Sequence, residues 1–155
     1  MADQTINFFH LLGTSVWIGG MIYTHFILLP SVSKIDPGES GKLQGIAAKR
    51  FSIIAWVAII ILIITGFLKT PGEMLLNIST QFGIVLLIKH IFILGVVLVG
   101  IVIGGIVVPG LRKNMPNPGE KPREKFLLFK KRLELLATTN LILGILILIC
   151  ASMLW

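Results

Sequence analysis

The chain has 155 residues, of which 55% are hydrophobic and 14% charged, and its mean hydropathy is +0.93; so little polar surface excludes a soluble globule of this size. The net charge of +7 is concentrated in two segments between apolar runs, so it reports membrane orientation and needs no nucleic-acid partner. One cysteine, Cys150, excludes a disulfide framework, and as a lone thiol in an apolar run it reads as packing.

Four runs are long enough to cross the roughly 30 Å hydrocarbon layer, which takes about 20 helical residues: Ile6–Leu29, Phe51–Leu68, Phe82–Val108 and Leu133–Trp155. None alternates apolar and polar residues as a membrane β-strand does. The expectation is an all-α integral membrane four-helix bundle forming one domain over residues 1–155, with the lipid bilayer as its surroundings.

The first run begins with Asp3 and no Lys or Arg before His10, and it shows no small-residue cleavage site, so it reads as a retained helix. His10, Thr14, Trp17, Met21 and Thr24 recur at helical spacing and share a face. Residues 31–50 form a loop carrying Lys34, Lys42, Lys49 and Arg50, and the second helix then carries Thr65-Gly66 near its far end. The second loop has Lys69 as its sole basic residue. The third helix holds Lys89, His90 and Gly104-Gly105 and ends at Pro109.

Residues 109–132 form the longest polar segment, with eight basic residues and the breakers Pro116, Pro118, Gly119 and Pro122. Beyond these breakers, Phe126 to Leu136 alternates apolar and basic residues at helical spacing, either as an interfacial helix or as the basic flank of the fourth helix. The fourth helix carries Asn140, Gly144 and Cys150. Lys and Arg crowd the first and third loops, so the positive-inside bias places those loops in the cytoplasm, both termini outside, and the chain in the cytoplasmic membrane.

The halves repeat. Helix one reads His10, Gly19-Gly20, Pro30, and helix three reads His90, Gly104-Gly105, Pro109; Lys49-Arg50-Phe51 and Ala55 match Lys131-Arg132-Leu133 and Ala137. Each half holds two spans, so two tandem helix-pair repeats would be related by an axis along the membrane normal. At 1.5 Å per residue, His10 stands about 30 Å above Pro30 and His90 about 28 Å above Pro109.

Imidazoles at matched depth inside a bundle are functional candidates, since a polar side chain there is costly without a partner. The leading expectation is one haem b, with His10 and His90 as axial metal ligands and Trp17, Thr14, Gly66 and Gly144 around the porphyrin. His25 projects about 60° from His10 and about 22 Å lower; its repeat counterpart is glycine, so a second haem has no ligand pair. Lys89 adjoins His90 and faces about 100° away. It pairs with a propionate or an anionic substrate, or it replaces His90 as ligand.

The run His10-Leu-Leu-Gly-Thr-Ser-Val-Trp17-Ile-Gly-Gly20 with Pro30, then Phe51 through Thr65-Gly66, Lys89 with Pro109, and Asn140 with Gly144, resembles the CopD-like membrane proteins and the related HemJ-type protoporphyrinogen oxidases. The HemJ resemblance implies haem b and a functional pair at His10 and Lys89; the CopD resemblance implies copper handling in the inner membrane. The chain departs from both, because His90 directly follows the lysine and Met21, Met74 and Met153 form no soft-ligand path for Cu(I). Three functions stay open at this point. One is a haem b electron-transfer protein serving a quinol or a redox partner protein, with a homodimer as one arrangement. The others are a protoporphyrinogen-oxidising enzyme and a copper-handling or cofactor-free membrane subunit.

Overall fold

The structure is a computed structural model that describes residues 2–70, 72, 78–117 and 119–154. Three residues named above, Met74, Pro118 and Trp155, lie outside the described residues. All regular structure among the described residues is helical: α1 (Ala2–Tyr23), α2 (Leu29–Val32), α3 (Pro37–Lys69), α4 (Gln81–Val102), α5 (Val108–Lys113) and α6 (Glu124–Ser152). They make four spans, Ala2–Val32, Gly38–Lys69, Gln81–Lys113 and Glu124–Ser152, each long and apolar enough to cross a membrane. The first span packs chiefly on the second and the third on the fourth; the fourth also meets the first, and the third meets the second through α5. The first and third spans therefore sit on a diagonal.

Two wide turns interrupt the odd spans at matching places. Residues Thr24–Leu28 and Ile103–Val107 form π-helical turns, in which Leu29 N–H reaches Thr24 O and Val108 N–H reaches Ile103 O, five residues back. Each ends two residues before a proline. Pro30 and Pro109 have no N–H to give and their rings crowd the carbonyl four residues earlier, so the turn widens instead of closing as an α-turn. The repeat in the sequence is thus a repeat in backbone geometry.

The helices overrun the apolar runs. The expected loop over 31–50 shrinks to four residues between α2 and α3, because Asp36 caps α3 by accepting from Gly38 N at 2.8 Å and Pro37 occupies the first turn. Ser40, Gly41, Gln44 and Gly45 are buried at helical spacing, where Arg112 donates to Gly45 O at 2.7 Å and Phe126 lies over Gly41. That buried stripe keeps a polar stretch helical. At the other loop α5 runs on to Lys113, and α6 continues unbroken from Glu124, so Phe126 to Leu136 is the basic flank of the fourth helix.

The core is thin and central. Trp17, Ile18, Met21, Ala58, Val96, Leu141 and Ile147 form one buried cluster drawn from all four spans, while Phe8, Phe26, Ile53, Ile64, Leu94 and Ile142 face outward. An apolar exterior of this extent fits hydrocarbon and not water. Close approach is made by single glycines: a Cβ on Gly20 would strike the Phe51 ring, and one on Gly110 would strike Phe129, whereas Gly19 and Gly105 face open space. Gly20→Ala and Gly110→Ala should each destabilise the protein by about 1–3 kcal/mol in reversible denaturation followed by far-UV circular dichroism. Gly19→Ala and Gly105→Ala should be neutral or gain up to about 1 kcal/mol.

Candidate functional site

At the end of the bundle that carries both chain termini, α1 places His10 half-buried against α3. Its Nδ1 lies 2.7 Å from Thr65 Oγ1. Thr65 is 6% exposed, and its hydroxyl donates back along its own helix to Ile61 O at 2.6 Å. A hydroxyl has one proton. With that proton on Ile61 O, Thr65 Oγ1 can only accept, so Nδ1 of His10 donates to it, and in the neutral ring the lone pair falls on Nε2. Gly66 keeps the neighbouring edge open, since even an added Cβ would stand 3.9 Å from Cε1 of the ring.

His90 reaches the same state by another route. Its Nδ1 lies 2.7 Å from Leu86 O, one turn back on α4; a carbonyl can only accept, so Nδ1 donates here too, and in the neutral ring the lone pair falls on Nε2. Fixing the ring through Nδ1 is how imidazoles are oriented for metals. Lys69 and Lys89 both act electrostatically on His10, and Cys150, buried on α6, acts on Lys89. The structure thus brings His10 together with Thr65 and Gly66, within the field of Lys89, and sets His90 beside that lysine on α4.

The other expected residues do different work. Thr14 donates to His10 O at 2.8 Å, which holds the α1 backbone. Trp17 belongs to the central core. The space beside Gly144 is filled by Met21 and Ile18, whose tips would stand 2.7 and 2.9 Å from an added Cβ, so this glycine serves contact between the first and fourth spans. His25 lies in the π-turn, edge-on to Phe26 at 5.0 Å, with Nδ1 buried and unpartnered. Among the described residues no three His, Cys, Asp or Glu side chains converge on one point.

A second feature lies towards the opposite, basic end: a cavity of about 310 Å³ between the spans, reached by Trp17 and Met21 from the core and by Gln44, Lys49, Arg112 and Asn140 lower down. Sequence reasoning passed over Gln44, which fell in a supposed loop. It gave Asn140 no task, although an amide inside an apolar run was a visible signal.

Fold and site define a small four-helix integral membrane protein with a histidine on each of two diagonal spans. A family model described as Copper resistance protein D, CopD, matches residues 45–154, and the chain belongs to that family. The match takes in His90, Lys89 and Asn140, and leaves the first span with His10 outside it. No curated protein and no solved structure matches the chain. Thr65→Val, which removes the acceptor for His10, should lower stability by about 1 kcal/mol, the scale of hydrogen bonds between membrane helices. Thr65→Ser should recover most of it in the same denaturation assay.

Proposed function

We propose that this chain handles copper ions at the histidine end of the bundle, with Nε2 of His10 and Nε2 of His90 as the ligating atoms and copper as cargo. The observation that carries the reading is that each ring is held through Nδ1, His10 by Thr65 Oγ1 and His90 by Leu86 O, both at 2.7 Å, which in the neutral rings turns the Nε2 lone pairs to a ligand. Imidazole suits copper among the first-row metals, and the family of the chain is named for copper resistance. Cys150, buried near the end of α6, adds a soft sulfur at the same end of the bundle. In this reading the protein resides in the cytoplasmic membrane with its basic segments inside, as the positive-inside bias requires, so copper is met from the outer face.

Axial ligation of a haem b is the second reading, favoured by one observation. Among the described residues no third ligand joins the histidines, and a porphyrin, supplying four nitrogens of its own, needs two axial imidazoles. The porphyrin would supply one-electron chemistry, with His10 and His90 holding the iron and setting its potential.

Purified protein in lipid nanodiscs distinguishes the readings. Competition with a Cu(I) chelator should show one tight copper per chain, weakened at least tenfold by His10→Ala and by His90→Ala, with no Soret band in the wild type. Thr65→Val should weaken copper about 10–100-fold, the usual effect of removing a partner that orients a ligand. A Soret band abolished by either histidine substitution supports haem instead, and copper affinity unchanged in both variants overturns the copper reading.

A further inference from the structure

The cavity at the basic end is built from both halves of the repeat. Thr24 and Leu28 reach it from the first π-turn and Ile103 and Gly104 from the second, and Trp56 and Phe51 add aromatic wall from α3. Wide turns of this kind open space between helices and recur at functional sites. Two side-chain oxygens on its lining have no hydrogen-bond partner: Asn140 Oδ1 and Gln44 Oε1. Gln44 is 3% exposed and its Nε2 donates to Ser40 Oγ at 3.0 Å, which fixes the oxygen as the free end. A buried acceptor left unmade costs about 1–3 kcal/mol, so two on one cavity mark the place of a missing donor.

The register of the spans brings these oxygens to similar depth. Phe51 packs at Gly20 and Met21 at Gly144. From those contacts Gln44 lies seven residues, about 10 Å, towards the basic end, and Asn140 lies four residues, about 6 Å. The acceptors therefore stand within about one helical turn of each other along the bundle. Asn140 is also eight residues, about 12 Å, past Arg132 into the apolar run, deeper than a phospholipid headgroup sits, and an acyl chain carries no donor.

We propose that this cavity binds a membrane-soluble para-hydroquinone, one hydroxyl donating to Asn140 Oδ1 and the other to Gln44 Oε1. A flat ring with a hydroxyl at each end can donate one O–H···O bond of about 2.7–2.8 Å to each acceptor, with the aromatic wall against its faces. Its apolar tail leaves past Ile53, a cavity-lining residue that is 59% exposed on the outer surface of the bundle. The site is independent of the histidines at the other end and of any metal there.

The test uses the full chain in nanodiscs of synthetic phosphatidylcholine, titrated anaerobically with decylubiquinol and followed by quenching of tryptophan, since Trp17 and Trp56 line the cavity. Quenching should saturate. The dimethyl ether of the same molecule, which keeps ring and tail but has no O–H, should bind at least tenfold more weakly. Asn140→Leu should lose at least tenfold for the hydroquinone and bind hydroquinone and ether alike, and Gln44→Met should act in the same direction. Equal affinity of wild type for hydroquinone and ether overturns the proposal whatever the variants do. So does quenching that rises linearly without saturating, which is partition into lipid, or unchanged affinity in a folded Asn140→Leu.

Discussion

Thr65 has a single hydroxyl proton, and its own helix takes it. In water the hydroxyl could exchange partners freely, but inside a bundle surrounded by hydrocarbon an abandoned carbonyl or ring nitrogen has no solvent to turn to. The bond from Thr65 to Ile61 O therefore dictates what His10 must do: donate from Nδ1, which in the neutral ring puts the lone pair on Nε2. His90 obeys the same constraint through Leu86 O. Two rings on two diagonal spans are thus oriented through Nδ1, one by a threonine hydroxyl and one by a helix carbonyl. The ligating role proposed for that end rests on this one limit on proton count.

The two ends of the molecule differ because the core divides them. Trp17, Ile18, Met21, Ala58, Val96, Leu141 and Ile147 close the middle of the bundle, with Gly144 and Gly20 letting side chains from neighbouring spans press in. Towards the termini the spans meet tightly enough for a 2.7 Å hydrogen bond between α1 and α3. Towards the basic end the two proline-driven π-turns widen the odd spans, and a cavity opens between them. The matched residues account for both: His10 and Pro30 in the first half have counterparts in His90 and Pro109 in the second.

Much of this was legible in the residues. Four apolar runs locate four spans, and the matched His10/Pro30 and His90/Pro109 pairs foretell the paired geometry. What the residues hide is partnership. Thr65 reads as a small residue beside Gly66 until a contact 55 positions away in sequence makes it an acceptor. Gly144 reads as room for a cofactor, yet the long flexible side chain of Met21 fills it. The start of α3 was misplaced because hydropathy outweighed Asp36-Pro37, a cap and first-turn proline plainly written in the chain, and Gln44 went with it. Membership of the CopD family weighs towards copper over haem, while a soft-ligand path is as hard to see in the fold as in the sequence, so the histidine tautomers carry most of the chemical argument.

That argument is tested most directly by ¹⁵N NMR of the chain labelled at its histidine rings, in lipid at neutral pH, with His10 and His90 assigned by their alanine variants. The account predicts for both rings a protonated Nδ1 and a bare, pyridine-type Nε2. A protonated Nε2 on either ring, as the other tautomer or as imidazolium, would contradict it.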